Sequence, residues 1–209
     1  METSGRAHKN DGAMPLPRPE SSGGPPFWWV VATRRSGREF SPGPLRVEAL
    51  SQILWATAGV NGDTRTVPSA GARYPIETYV VANRVPGLEH AVYHYRPEEH
   101  ALEPLEGGGS PRQLKDACAG QRMVEEAAVV LAWGVVAERT TRRYGARGER
   151  YVLLDAGHVG QNFYLAATAL GLGCCTIGAF HDDRVNAVFG VDGRRETIVY
   201  LGCAGIPAR

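Results

Sequence analysis

Three arginines and a serine fall within five positions at Arg34-Arg35-Ser36-Gly37-Arg38. A guanidinium is a planar, permanently charged fork of donors that fits phosphate oxygens. A loop at a helix end that presents Arg34, Ser36 and Arg38, with Arg35 beside them, could grip one phosphate ester. The same residues also describe a solvated basic turn, so the cluster needs support from elsewhere. Pro68-Ser69-Ala70-Gly71 supplies small residues ahead of an apolar run, leaving room for a flat ligand to approach the backbone. At Ile177-Gly178-Ala179 a glycine-rich helix exit meets a β-run, and backbone N–H groups there could face a ligand atom. Arg143-Tyr144 sets a phenol beside a cation in a basic segment interrupted by Gly145 and Gly148. A positive neighbour favours the phenolate, which suits general acid–base work; an exposed turn tyrosine fits equally well. The loops together suit an anionic, planar ligand.

Other chemistries find little footing. The formal net charge is +1, so no overall field draws the chain to nucleic acid or an acidic membrane. Gly157-His158-Val159-Gly160 lies inside a helical pattern, and Gly107-Gly108-Gly109 follows no buried strand. Neither matches GxGxxG, so a Rossmann dinucleotide site is not expected. His158 alone on a helix reads more readily as structural than as a base. Cys118, Cys174, Cys175 and Cys203 form no CxxC pair and no zinc spacing. They read as small buried residues in a reducing cytoplasm. The N-terminus shows no signal peptide. The longest helical pattern, Tyr151 to Leu170, holds Asp155, His158, Gln161 and Asn162, against a membrane span.

These residues need elements to position them. Residues 1–24 are rich in Gly, Pro, Ser and charge and read as a disordered tail, leaving 25–209 as one domain. Pro25-Pro26 opens a helix bearing Phe27, Val30 and Val31. A second helix runs from about Arg46 to Ala58, closed by a left-handed Gly59. Strands are expected at Ile76–Ala82, Ala91–Tyr95, Ala101–Leu105, Ala127–Ala137, Cys175–Phe180 and Thr197–Cys203. Ser110, Pro111 and Gln113 form a helix start with a capping box. The helix from Tyr151 carries an apolar stripe and a small-residue stripe, Gly157, Gly160, Tyr164 and Ala167, against which a second subunit could pack. Asp182 or Asp183 caps a short helix ended by Gly190. Helices and strands do not alternate regularly, which predicts an α+β fold with a mixed or antiparallel sheet flanked by helices.

The order of segments resembles the FMN-dependent nitroreductase superfamily, in particular its SagB-type branch, which includes azoline (thiazole and oxazole) dehydrogenases. The resemblance is carried by Arg34–Phe40, by Arg65-Thr66-Val67-Pro68-Ser69-Ala70-Gly71-Ala72-Arg73-Tyr74-Pro75, by Gly157 to Asn162 through Gly171-Leu172-Gly173 to Phe180, and by Leu201 to Arg209. Glu138 to Gly145 also looks like this branch. The resemblance implies an intertwined homodimer with FMN bound at the subunit interface. It implies that Arg34, Arg35, Ser36 and Arg38 hold the flavin's phosphate, ribityl and pyrimidine groups, with Arg209 on the phosphate. Pro68, Ser69, Ala70 and Gly71 would reach the flavin from the other subunit, and Ile177, Gly178 and Ala179 would approach N5. Where the azoline dehydrogenases carry a catalytic Lys-Tyr pair, this chain has Arg143-Tyr144. Arginine does not deprotonate, so a base role would fall on Tyr144. Gly71, Arg73 and Tyr74 stand where many nitroreductases have Asn, Gln and Trp. The implied activity is azoline oxidation, with a cyclodehydratase as partner. The alternatives are an NAD(P)H-dependent nitro or quinone reductase, and a non-catalytic flavin-binding subunit.

Overall fold

A computed structural model describes residues 12–89 and 92–208. The strands are β1 (Met14–Pro15), β2 (Val60–Asn61), β3 (Thr64–Arg65), β4 (Ile76–Ala82), β5 (Val92–Arg96), β6 (Ala101–Pro104), β7 (Val129–Val135), β8 (Gly173–Ile177) and β9 (Thr197–Gly205). The helices are α1 (Phe27–Thr33), α2 (Val47–Ala58), α3 (Pro111–Ala117), α4 (Met123–Glu126), α5 (Glu138–Tyr144), α6 (Arg147–Ala169) and α7 (Asp182–Phe189). Seven strands form one sheet in the order β1-β6-β5-β4-β7-β9-β8, and every pairing in it is antiparallel. The expected α+β architecture is thus the one observed.

The interior strand β7 explains why the sheet is double-sided. Every residue of β7 is buried, and its side chains alternate between two cores, as pleating requires. Val129, Leu131 and Trp133 join α2 and α6 on one face, while Val130 and Ala132 join α3, α4 and α7 on the other. A nearly continuous apolar run is the sequence mark of such a doubly covered strand.

Four local expectations are corrected. The helix expected from Tyr151 starts at Arg147. Gly145, at φ +57°, makes the break, whereas Gly148 lies in the first turn of α6, where a Cβ would approach Thr141 Cα to 2.9 Å. Gly59 is not left-handed but extended, at φ −67°. It is required because a Cβ there would lie 2.4 Å from Trp55 Cδ1. His181, not an aspartate, is the N-cap of α7, and Asp182 and Asp183 occupy its first turn, where carboxylates favour the helix dipole. The supposed tail is held in place from Met14 to Glu20. β1 pairs with β6, Ser51 Oγ donates to the Pro17 carbonyl, and Gln52 bonds both the amide and the carbonyl of Glu20. An open sheet edge offers unpaired backbone groups, and a segment without apolar periodicity can satisfy them. Residues 1–11 of the expected tail, together with Ala91 and Arg209, lie outside the described residues.

Gly202 on β9 shows how tightly the α6 face is packed. Trp133 and Phe163 meet edge to face at 5.5 Å, and a Cβ on Gly202 would stand 2.8 Å from Trp133 Cη2 and 2.9 Å from Phe163 Cε1. Gly202→Ala should therefore destabilise the fold by about 1–3 kcal/mol through overpacking. Urea unfolding would show this as a lower midpoint at unchanged slope; an unchanged midpoint would mean the two rings yield freely.

Candidate active site

α1 ends at Arg34, whose backbone turns extended (φ −52°, ψ 124°). The chain then runs along the start of β8, where the Gly37 amide donates to the Cys174 carbonyl at 2.8 Å. The Ser36 hydroxyl lies 2.9 Å from the Tyr164 hydroxyl of α6. Tyr164 continues to Thr176, whose amide donates to its oxygen at 3.0 Å, and the Thr176 hydroxyl lies 2.6 Å from that of Tyr200. This chain of hydroxyls fixes the loop. The Arg34 guanidinium stacks over the Tyr164 ring, 5.2 Å from its centroid, while Arg35, Ser36 and Arg38 face solvent. Among the described residues no ion pair involves Arg34, Arg35 or Arg38. The Ala208 amide donates to the Glu39 carbonyl at 3.1 Å and Phe40 bridges Pro207. The chain end therefore returns beside this loop, though Arg209 itself is not described.

At the far end of β8, Ile177 is buried while Gly178 and Ala179 are exposed. Gln121 Nε2 pins the Ala179 carbonyl at 2.9 Å. One short strand thus joins the basic loop to the Gly178-Ala179 backbone, separating them by about 13 Å at ~3.3 Å per residue.

The Pro68–Gly71 loop is organised by a residue whose role the sequence reading missed. Asp155 of α6 is 4% exposed. Its carboxylate accepts from Ser69 Oγ at 2.7 Å and from the Ala70 amide at 3.2 Å. Ser69 Oγ in turn accepts from the Tyr74 amide at 2.9 Å. The loop is a 3-10 turn with left-handed φ at Gly71, Ala72 and Tyr74, a conformation that such hydrogen bonds must hold in place. The signal was available: Asp155 sits between Val152 and Val159 on the apolar stripe, and a buried carboxylate demands partners.

Tyr144 ends α5 with Arg143 5.5 Å over its ring. Its hydroxyl abuts Gly71, where a Cβ would come within 2.4 Å of it. The structure therefore brings Arg143-Tyr144 to the Pro68–Gly71 loop. It does not bring that loop to the arginine loop of the same chain. Their anchors, Asp155 and Tyr164, are nine residues apart, about 13 Å along α6 and two and a half turns, so they project from opposite flanks of the helix.

Behind the loop stands a half-buried polar cluster. His94 Nε2 donates to Glu77 at 2.8 Å, Arg139 pairs with the other Glu77 oxygen, and Arg139 also donates to the Tyr74 carbonyl at 3.1 Å. Burial pushes the Glu77 carboxyl up, but the His94 hydrogen bond and the Arg139 charge more than offset it and lower it to about 2. Nearby, the Tyr79 hydroxyl donates to Glu196 at 2.7 Å, and burial pushes both groups above their ordinary values. The four cysteines are free and buried. Burial lifts Cys118 to about 11 and Cys174 to about 12, which leaves them poor nucleophiles.

Within the small-residue stripe of α6, Gly160 and Ala167 pack inside the chain, whereas Gly157 is exposed with open space beside it. A Cβ on Gly160 would lie 2.6 Å from Tyr200 Cε1, and Ala167 is fully buried. The outward surface of this region is apolar instead: Trp28 is 78% exposed and Leu153 62%, with Phe27, Val31 and Leu154 also exposed.

With this geometry in view, comparison with known proteins is informative. The nitroreductase family model matches residues 31–206, and the chain belongs to the nitroreductase family. It is 44% identical over 161 residues to MJ1384 of Methanocaldococcus jannaschii, named as a candidate nitroreductase, covering 76% of this chain and 81% of that one. It is 36% identical to the trifolitoxin-processing protein TfxB of Rhizobium leguminosarum bv. trifolii, over 52% of this chain and 30% of TfxB. It is 28% identical to the microcin B17-processing protein McbC of Escherichia coli, over 62% of this chain and 50% of McbC. The match thus spans half or less of these two processing proteins, which carry the resemblance to the SagB-type branch. Among solved structures, a nitroreductase-type protein of Ralstonia eutropha superposes with a TM-score of 0.78 at 27% identity, covering 94% of this chain and 90% of that one. The E. coli McbBCD microcin synthetase complex with truncated pro-MccB17 has a chain that superposes at 0.75 and 23% identity, over 84% and 70%. A nitroreductase-type protein of Desulfovibrio desulfuricans in complex with FMN superposes at 0.63 and 21%, over 88% of each chain. The last two show likeness of fold.

The Glu77 pair makes a testable demand. A carboxyl held at about 2 instead of its ordinary 4.5 stabilises the fold fully above pH about 4.5, and this contribution fades as pH falls toward about 2. Glu77→Gln should therefore be less stable at neutral pH and lose less stability than wild type between those limits. Urea midpoints measured across that range check it; parallel pH profiles would show that the pair contributes nothing.

Proposed function

We propose that this nitroreductase-family oxidoreductase binds FMN and oxidises azoline heterocycles. The observation that carries the cofactor is the arginine loop: three guanidinium groups without ion-pair partners among the described residues, around a fixed serine hydroxyl. That donor set suits a phosphate monoester, and the open Gly178-Ala179 backbone one strand-length away suits a flat ring. FMN would supply hydride acceptance. Arg34, Arg35, Ser36 and Arg38 would hold its phosphate and ribityl groups, and Ile177, Gly178 and Ala179 would flank its ring.

The opposite-flank placement of the two loops supports a homodimer in which Pro68–Gly71 serves the flavin of the second copy. Tyr144, packed on Gly71, would travel with that loop to the same flavin. The exposed apolar face formed by α1 and Leu153-Leu154 is suited to cover by such a copy. Tyr144 Oη would accept the proton lost from the azoline ring, with Arg143 beside it. The likeness to TfxB and McbC supports azoline chemistry on a modified peptide, and the McbBCD match supports a cyclodehydratase partner that makes the azoline. Free, buried cysteines fit a cytoplasmic setting. Among the described residues no helix is long and apolar enough to cross a membrane.

The likeness to MJ1384 favours a second reading, in which NAD(P)H reduces the flavin and a nitro or quinone compound is the acceptor. The fold match to one chain of a multi-protein synthetase leaves a third, a non-catalytic flavin-binding subunit.

Tyr144→Phe keeps the ring on Gly71 and removes only the hydroxyl. It should retain normal FMN, identified by mass spectrometry of the released flavin, while oxidation of a synthetic thiazoline peptide falls about 10²–10⁴-fold. Equal turnover would exclude Tyr144 as the base. Turnover of nitroaromatics with NAD(P)H but not of thiazolines would establish the second reading; FMN without either activity would establish the third.

A further inference from the structure

Arg73, Arg139, Arg142 and Arg143 line one open cleft together with Ala72. It is built by the 3-10 turn on one side and by α5 on the other. Two of the four charges are already answered. Arg139 is held by Glu77 and by the Tyr74 carbonyl. Arg142 pairs with Glu138 at 2.9 Å. Arg73 and Arg143 have no ion-pair partner among the described residues. Two uncompensated positive charges therefore meet across a cleft, where like charges repel and an anion would relieve the repulsion.

The placement of the cleft gives this charge a use. Ala72 follows Gly71, on which the Tyr144 hydroxyl rests, and Arg143 precedes Tyr144 in the chain. The backbone that aims Arg73 is fixed by left-handed φ at Gly71 and Ala72 and by the Asp155 hydrogen bonds to Ser69 and Ala70. Arg139 is tethered to the half-buried Glu77 carboxylate and to the Tyr74 carbonyl on the wall of the cleft. These arginines are separate from the phosphate loop at Arg34–Arg38, which is anchored on the opposite flank of α6.

The geometry points to an oxyanion subsite: the cleft receives a carboxylate or phosphate of the molecule whose reacting part lies beside Tyr144, with Arg73 and Arg143 as its two forks. This rests on the reading of Tyr144 as an active-site residue. The oxyanion has two sources that the site chemistry alone treats alike. One is an acidic side chain next to the heterocycle of a modified peptide; the other is the 2′-phosphate of NADPH.

Equilibrium titration of FMN-loaded protein with two labelled peptides tests this, each bearing one thiazoline flanked by Asp or by Asn. NADPH and NADH form a second pair of probes. Loss of a charge-assisted hydrogen bond weakens binding roughly tenfold or more. Wild type should favour the anionic member of one pair by at least that factor, and Arg73→Gln should bring the ratio close to one while FMN content stays at its wild-type level. Selectivity within the peptide pair assigns the cleft to a substrate carboxylate; selectivity within the nucleotide pair assigns it to the phosphate. No selectivity in wild type, or selectivity that survives Arg73→Gln, overturns the proposal. Turnover is scored separately, so an acid-selective protein that leaves thiazolines unoxidised would refute the azoline reading and keep the subsite.

Discussion

The carboxylate of Asp155 is the interaction on which the site depends. It is buried, and it survives burial because Ser69 and Ala70 donate to it. An ionised carboxylate stripped of those donors would incur several kcal/mol of desolvation. The turn that follows Ser69 has left-handed backbone at two non-glycine residues, Ala72 and Tyr74, which the chain does not adopt unaided. Asp155 and this turn therefore need each other. From this mutual requirement follow the seat of Tyr144 on Gly71, the aim of Arg73, and the contact of Arg139 with the Tyr74 carbonyl.

α6 turns this local bond into a global constraint. The helix packs its central stripe on the sheet through Val152, Val159 and Phe163, which leaves its two flanks to carry loops. Asp155 holds one loop on one flank and Tyr164 holds the other on the opposite flank. A single chain so arranged keeps its arginine loop away from its Tyr144 loop. Under the proposed function, both would serve one ligand when a second copy supplies the missing half. Joining the sites to the apolar surface of α1, Leu153 and Leu154, this organisation is what we infer for the working protein.

Much of this was legible in the residues. β4 and β7 announced themselves by β-branched and continuous apolar runs, and Ser110-Pro111-Gln113 by its capping pattern, which the structure contains in full. The arginine cluster stood out by residue type, but a solvated basic turn has the same composition, so the sequence alone left its role open. Other features were hidden for physical reasons. Asp155 looked like a polar interruption because its partners lie 85 and 86 residues away. Gly160 looked like a contact for a second helix, since sequence spacing does not reveal that Tyr200 fills the space. Met14 to Glu20 was hidden because it joins an edge largely through its backbone, with only Met14 and Leu16 packing on the core. Gly148 looked like a break, but in the first turn of a helix a glycine can also serve close packing.

We infer that each flavin site takes its arginine loop from one copy and its Pro68–Gly71 loop from the other. Subunit complementation measures this directly. One variant carries Arg38→Ala and the other Gly71→Val, which places a branched side chain against the Tyr144 hydroxyl at a left-handed φ. Each alone should bind FMN poorly. After subunit exchange, mixed dimers combine both intact loops at one of their two sites, so about a quarter of all sites should regain FMN, read from its visible absorbance. If the mixture binds no more FMN than the separate variants, although exchange is verified, each site lies within a single chain and the account is wrong.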